Sequence, residues 1–471
     1  MTFTFERPDS MQTLSNPSSQ SDFLVAGAGA AGMFAALVAA HHGAKVMLVE
    51  RDLSGPSNLL VSGGLFPGAG THMQAQAGIS DSAELFCKDA LEKAGGKVDP
   101  PVLQAIAEQT APSVHFLKDV LGLQIHLMPD LIAPGHSVAR LHATPKESGR
   151  ELHALLREAV RRQASITTLA DAELLALVVS EQGSVCAARI RVNGGEREFG
   201  ARSVLLATGG FAANQALLAE YIPEMHGALH IGAGANDGCA ITLGKSLGAD
   251  VAFMEGYQGQ GHVNPPEGRT RLGMTLPPKG AFMVNREGKR FVAEDIGPSE
   301  LAAFVLAQPG GRALEVFDAR IHESALSQGP YREACEAGHV RSAGSASELA
   351  ALFGLPVDTF VSTFKSFCEA ARTGHDPEQG RTKFGPVLEA PLYGAWVTGA
   401  LAHTQGGLRV DTLARVVRTD GSIIDGLYAA GGAAASISGV GGAGYLPGNG
   451  LAQSFALALL AGQHAASRRK G

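Results

Sequence analysis

Cysteine is sparse in this chain of 471 residues. Cys87, Cys186, Cys239, Cys335 and Cys368 stand far apart, are odd in number and form no C-x-x-C pair. That excludes zinc ribbons, iron–sulfur ligation, thioredoxin-like redox pairs and a disulfide framework, and it fits free thiols in a reducing cytosol. The histidines are too scattered for ligand spacing, so no metal site is expected. An excess of one charge is missing as well. Lys plus Arg number 38 against 45 Asp plus Glu, a net charge of −7, which argues against a nucleic-acid or membrane-surface partner. No apolar stretch reaches the roughly 18 residues that a membrane span needs, and Phe455–Ala461 is far too short. The segment through Gln20 is polar and Ser-rich. It has no basic start, apolar stretch or twin arginine, and 1–20 reads as a disordered leader to a cytoplasmic protein. Aromatic residues are 6%, yet 45% of the chain is apolar, so core material is ample and disorder is excluded.

Glycine is what the chain has in excess: 60 residues, about one in eight, where average usage is roughly 7%. The glycines follow no three-residue period, which excludes a collagen-like chain. They cluster as GAGAAG at 27–32, SGG at 62–64, ATGG at 207–210 and GGAGYLPGNG at 441–450. Such clusters mark backbone that turns tightly or lies close against something.

Asp22–Ala26 is a short apolar run ending at Gly27, as a buried parallel strand would be. Ala30–His42 favours a helix that Gly43 stops, and Lys45–Glu50 reads as a second strand. Together they form a β-α-β unit. Helical periodicity follows over 81–120 and 147–163, then strands over 173–179, 185–192 and 203–207, with a turn at Asn193-Gly194. Residues 256–280 are rich in Gly and Pro and exclude long regular elements. Ala281–Asn285 and Lys289–Ala293 read as a hairpin, in which Arg290 pairs with Glu294. Helices are expected over 299–307, 346–353, 357–372 and 451–466. The simplest organisation is one domain, 21–255 with 404–471, interrupted by an insertion at 256–403.

Gly27-x-Gly29-x-x-Gly32 follows a strand and opens a helix, the setting a dinucleotide fingerprint requires. Gly27 allows the tight turn, Gly29 lets backbone approach a pyrophosphate, and Gly32 lets helix and strand pack closely. The phosphates then face the helix N-terminus. Glu50 ends the next strand, eighteen residues past Gly32, placed to accept hydrogen bonds from ribose hydroxyls.

Beyond this unit, the chain resembles the FAD-dependent flavoproteins that include fumarate reductase, the succinate dehydrogenase flavoprotein subunit and 3-ketosteroid dehydrogenases. The resemblance runs from Ser21 to about Gly462. It rests on Ser57-Asn58…Ser62-Gly63-Gly64, on Leu205-Leu-Ala-Thr-Gly-Gly-Phe211 with Asn214, and on Asn236-Asp237-Gly238. It continues in Val284–Phe291, His403-Thr-Gln-Gly-Gly407, Leu427–Gly431 and Pro447-Gly-Asn-Gly450. It implies a Rossmann-like FAD-binding domain, a parallel sheet with a β-meander, carrying an inserted α+β capping domain. It also implies FAD contacts from Ala31, Glu50, Asn58, Ser62, Gly63, Gly64, Ala207, Thr208, Gly209, Asp237 and Leu451. Amides near Asn449, Gly450 and Leu451 would face the flavin pyrimidine carbonyl, where a helix N-terminus stabilises negative charge. Gly432 stands where many relatives carry Glu. The sequence before the SGG turn, Gly55-Pro-Ser-Asn58, lacks the His that attaches FAD in membrane-bound relatives, so non-covalent FAD is expected.

The substrate side departs from the acid-reducing relatives. Pro298 falls near their proton-donating Arg, Met274 and Pro277 near their relay, and Tyr445 where an Arg clamps a carboxylate. His403 remains, and His262 is a candidate second pocket histidine. Tyr445-Leu-Pro-Gly-Asn449 is similar to the ketosteroid dehydrogenases, whose Tyr and a nearby amide hold the substrate carbonyl. A phenol on a ketone oxygen stabilises the developing enolate and acidifies the adjacent C–H. Tyr257 and His403 are candidates for the base or a second donor.

The expected activity is therefore dehydrogenation, or its reverse, of a C–C bond beside a carbonyl. The expected partners are a small ketone or unsaturated acid and an electron carrier of unstated identity. One alternative is reduction of an unsaturated monocarboxylate held by His403 with Arg269 or Arg271. Another is a non-catalytic electron-relay subunit. A disulfide reductase is disfavoured, since it needs a cysteine pair and a second fingerprint.

Overall fold

Near-continuous apolar runs, Phe-Leu-Val-Ala, Val-Met-Leu-Val and Val-Leu-Leu, make strands that suit burial on both faces. In a computed structural model, which describes residues 20–265, 270–273 and 275–470, these strands form the centre of a six-stranded sheet. Its order is 415–417, 423–429, 204–206, 23–26, 46–49, 166–169. All neighbours run parallel except the antiparallel edge strand Arg415–Val417. The helix Ala30–His41 is buried from Ala30 to Ala40 and packs on the C-terminal helix Asn449–Ser467. Small residues permit that approach: a Cβ on Gly462 would lie 2.9 Å from the Ala35 carbonyl oxygen. An antiparallel meander, 172–179, 185–192 and 195–200, lies beside the sheet. Its second turn is Asn193-Gly194, with φ of 52° and 74°, the left-handed pair that matches strand twist.

A second six-stranded sheet is built around the 13-residue strand Leu392–Thr404. Tyr257–Val263, Arg312–Asp318 and Arg341–Ala343 pair with it antiparallel. It has its own core, in which Phe282 stacks on Phe367 with ring centroids 4.4 Å apart. The expected seams at 256 and 403 are not breaks in this sheet. Leu229–His230 joins it from the earlier segment, and Leu392–Thr404 runs through the second seam.

The expected hairpin at 281–293 does not form. Phe282–Val284 pairs with Arg312–Asp318 instead. After the turn, closed by the Asn285 N–H on the Lys289 carbonyl at 2.9 Å, Arg290 turns inward. Its guanidinium meets Glu294 at 2.8 Å and Asp376 at 2.9 Å, and Arg381 reaches the same Glu294 at 3.1 Å. Each of these four buried charges finds an opposite charge, and the chain turns inward to complete that set instead of continuing as a strand. The stretch 81–120 is likewise two helices, Ala83–Lys93 and Pro100–His115, with a wider turn at Phe116–Val120.

Candidate active site

The first strand ends at Gly27, whose φ of 106° is left-handed and closed to most side chains. Its N–H donates to the Val49 carbonyl at 2.8 Å. Gly29 caps the following helix with no side-chain bond and no acid in the first turn, so the helix amides stay available to an anion. A Cβ on Gly32 would lie 1.7 Å from the Gly27 carbonyl oxygen, whereas one on Gly29 would meet nothing within 4 Å. Gly29 therefore faces open space, and Gly32 the loop behind it.

That space is a cavity of about 770 Å³. Gly27, Gly29, Ala31, Glu50, Asn58, Ser62, Gly63, Gly64, Ala207, Thr208, Gly209, Asp237, Gly432, Gly450 and Leu451 all line it. Gly32 and Asn449 do not. Gly32 packs behind the loop, and Asn449 is buried, its amide donating to Ser438 Oγ at 3.2 Å. The Glu50 carboxylate accepts from the Ala28 and Asp52 amides at 2.6 and 2.9 Å. Asn58 Oδ1 accepts from the Ala233 N–H at 2.8 Å and the Asn236 amide at 3.1 Å, tying the 233–236 loop across the cavity. Asp237 spends its carboxylate on the Cys239 N–H at 3.0 Å and on Arg51 at 2.7 Å. A Cβ on Gly432 would lie 2.8 Å from the Gly210 nitrogen, so a Glu there has no room.

This wall fits a dinucleotide. Two helix N-termini, at Ala30 and Asn449, carry no side-chain cap. The Thr208 hydroxyl is buried in the lining without a partner. Residues 27–29 and 207–209 press backbone against backbone, with a Gly27 Cβ only 2.3 Å from the Ala207 oxygen. Among the described residues no cluster suits a metal ion.

The cavity lining also carries His403 and Tyr445, beside the start of the C-terminal helix, with their rings crossing edge-to-face at 6.2 Å. Burial pushes the Tyr445 phenol up to about 12, with the Gly448 N–H working against it. The phenol therefore stays protonated as a donor. Burial lowers the His403 pKa, against a weaker pull from the Thr404 carbonyl, and keeps the ring neutral. Two groups compete for His403 Nδ1: the Thr404 carbonyl at 3.2 Å, which would accept a proton from it, and the Gln405 amide nitrogen at 3.2 Å, which would donate one to it. The Gln405 oxygen in turn accepts from Ser436 Oγ at 2.7 Å.

Tyr257 is not part of this lining. It opens the strand Tyr257–Val263, and its ring lies in an apolar cluster with Met254, Ala302 and Leu401. Its neighbours Gln258 and Gln260 line the cavity instead, because successive side chains point to opposite faces of a strand. His262 is also outside the lining, its Nδ1 2.9 Å from Glu315 with both side chains buried. Arg271 lines the cavity. Arg269 and Met274 lie outside the described residues. Pro298 opens a helix and Pro277 a short turn. Gln258, Gln260, Gln405 and Ser436 escape a reading of the sequence, since uncharged amides and hydroxyls form no motif and only strand register brings them here.

A family model described as FAD binding domain matches residues 22–451. A probable fumarate reductase of Shewanella frigidimarina (strain NCIMB 400) is 30% identical over 458 residues, covering 96% of this chain and 75% of that protein. Among solved structures, the open conformation of a flavocytochrome c3 fumarate reductase superposes with a TM-score of 0.83 at 30% identity. That match covers 96% of this chain and 79% of the other. A 3-ketosteroid-Δ4-(5α)-dehydrogenase from Rhodococcus jostii RHA1, in complex with 4-androstene-3,17-dione, superposes with a TM-score of 0.76 at 25% identity. It covers 98% of this chain and 100% of the other. No helix among the described residues is long and apolar enough to cross a membrane. A match over nearly the whole chain, on a cavity built for a dinucleotide, gives the family plainly: this chain belongs to the FAD binding domain family and is an FAD-dependent oxidoreductase.

Proposed function

We propose that this oxidoreductase exchanges a hydride with a C–C bond adjacent to a carbonyl and holds that carbonyl on Tyr445. The observation that carries this reading is the Tyr445 phenol in the cavity lining, edge-on to His403. The phenol suits a carbonyl oxygen that gains negative charge as the neighbouring C–H loses its proton. His403 orients the substrate. The dinucleotide wall holds FAD without a covalent bond: helix amides after Gly29 on the pyrophosphate, Glu50 on the ribose and the start of the C-terminal helix on the flavin ring. When bound, FAD supplies the hydride acceptor or donor.

The positions where the resemblance expects acid-binding and proton-relay groups support a carbonyl substrate. Pro277, Pro298 and Tyr445 carry no charge at neutral pH. A second reading, reduction of an unsaturated monocarboxylate, is favoured by Arg271 in the same cavity.

Anaerobic titration of the holoenzyme, followed by flavin absorbance, tests the proposal. Cyclic ketones should bleach oxidised flavin, or their enones should reoxidise reduced flavin. Tyr445→Phe should slow that step by roughly 10²–10³-fold, the loss typical of one oxyanion donor, with FAD content unchanged. Response to dicarboxylates alone, or full turnover by Tyr445→Phe, overturns it.

A further inference from the structure

Tyr445 stands on a glycine-rich turn. No helix or strand covers 434–448, and Gly439, Gly441 and Gly448 have left-handed φ of 67°, 66° and 87°. Such backbone has many conformations open to it, so a phenol carried on it is placed by whatever holds the turn. Bonds within the turn are local: the Tyr445 N–H on the Gly442 carbonyl at 3.4 Å, and the Asn449 N–H on the Leu446 carbonyl at 3.0 Å. Among the described residues, one hydrogen bond reaches 442–448 from another segment. It joins His136 Nε2 to the Pro447 carbonyl oxygen at 2.9 Å.

A carbonyl only accepts, so Nε2 carries the proton and donates it. Nδ1 is buried without a partner. Charging the ring would put a proton there with nothing to receive it, and burial lowers the His136 pKa against the pull of the Pro447 carbonyl. His136 is thus a neutral donor of fixed direction. Its loop is anchored from behind. Ser137 gives its N–H and its hydroxyl to Asp89 Oδ2 at 2.8 and 2.9 Å, and Arg140 pairs with both Asp89 and Asp81 at 3.0 Å. The loop also presses on the turn directly, since a Cβ on Gly135 would lie 2.7 Å from Leu446 Cδ1. None of these anchoring residues lines the cavity, whereas Tyr445, Pro447 and Gly448 all do.

The group that His136 grips is the peptide joining Pro447 to Gly448. A trans peptide is planar, and its C=O and N–H point in opposite directions. Fixing the carbonyl therefore fixes the Gly448 N–H, the group that acts against burial on the Tyr445 phenol. We propose that His136 is a positioning residue for Tyr445: it holds the Pro447–Gly448 peptide from outside the cavity and so fixes the turn that presents the phenol. The proposal rests on the carbonyl reading of Tyr445 above. It adds that the geometry of the phenol is set by a side chain more than 300 residues away in the sequence.

The test is a double-mutant cycle on reduced holoenzyme under anaerobic conditions, with flavin reoxidation by cyclohexenone followed by stopped flow. His136→Leu should lower the limiting rate about tenfold, as loss of one hydrogen bond predicts. The half-saturating concentration should stay within about twofold, because the effect lies in the reacting geometry. His136→Gln, whose amide can reach the same carbonyl, should restore most of the rate. In a Tyr445→Phe background, His136→Leu should cost nothing further. Retained FAD absorbance verifies folding. If His136→Leu loses FAD, His136→Asn replaces it, being too short to reach the Pro447 oxygen. An equal loss in both Tyr445 backgrounds overturns the proposal, because it shows a merely structural role. So does an unchanged rate in His136→Leu, or a His136→Gln variant as slow as His136→Leu. Full turnover by Tyr445→Phe alone, or no reoxidation by cyclohexenone while crotonate reacts, overturns the carbonyl reading instead.

Discussion

Replacing Gly29 or Gly32 by alanine adds the same methyl group to the same loop, three residues apart, with opposite expected results. At Gly32 the new Cβ would stand 1.7 Å from the Gly27 carbonyl oxygen and 2.9 Å from its carbon. Both are backbone atoms, and contacts under 3.0 Å are essentially never seen. The helix cannot back away, because it is buried from Ala30 to Ala40. Overpacking of this kind costs about 1–3 kcal/mol, and rigid backbone on both sides puts Gly32→Ala at or above the top of that range. At Gly29 the backbone is extended, with φ −76° and ψ −168°, and the Cβ meets nothing. Alanine there should stabilise the flavin-free protein by about 0.4–1 kcal/mol through the unfolded chain. The same methyl group projects into the space where a pyrophosphate approaches the uncapped helix. A steric cost of about 1–3 kcal/mol in the complex weakens FAD roughly five- to 150-fold. Melting of flavin-free protein and FAD titration by fluorescence quenching separate the two effects. If Gly29→Ala melts as low as Gly32→Ala, or binds FAD as tightly as the unmodified chain, the roles assigned to the two glycines are wrong.

Three further outcomes are expected. Burial holds the His142 pKa at about 4 against an ordinary 6.5, so the unfolded chain takes up the proton first. Stability should fall as pH drops from 6.5 towards 4, by about 3 kcal/mol in all for this residue, and a His142→Gln variant should melt with a flatter acid dependence. Glu294→Gln should destabilise the protein by about 3–5 kcal/mol in denaturant melts, because Arg290 then keeps only Asp376 as a charged partner and the buried Arg381 guanidinium keeps only backbone carbonyls. Gln405→Leu should leave the Thr404 carbonyl, 3.2 Å away, as the remaining partner of His403 Nδ1. Its ring ¹⁵N shifts should then report the proton on Nδ1, and turnover should fall about tenfold if a single hydrogen bond to substrate is lost.

The dinucleotide cradle was legible because it is local. A strand, a glycine turn and a helix within thirty residues carry their own chemistry. Amphipathic helices were equally readable: Ala346–Phe353 lies where its periodicity predicts. Features set by distant partners were not. Arg290 abandons its hairpin for Asp376, on another segment of the second core. Tyr257 was legible as a residue type but not as a direction, since one step along a strand decides whether a side chain meets the cavity or the core. Leu229–His230 has too few residues to show any period, yet it pairs with Leu392–Thr404.

The division of labour between cofactor and substrate residues follows from these differences in range. FAD carries a pyrophosphate, yet the wall that receives it bears Glu50, Asp52, Glu173 and Asp237. Arg51 offsets part of that charge by meeting Asp237 at 2.7 Å and Glu173 at 3.5 Å. On the proposed reading, attraction for the phosphates comes from amides at uncapped helix ends, which are backbone and cannot be mutated away by a single side-chain change. Substrate recognition on the proposed reading comes from Tyr445 and His403, which are side chains. Changes at these side chains should therefore redirect the enzyme to another substrate at little cost in FAD affinity. Changes in the glycine loops should remove the cofactor before they touch specificity. The same asymmetry accounts for a cofactor that declares itself in the sequence and a substrate that does not.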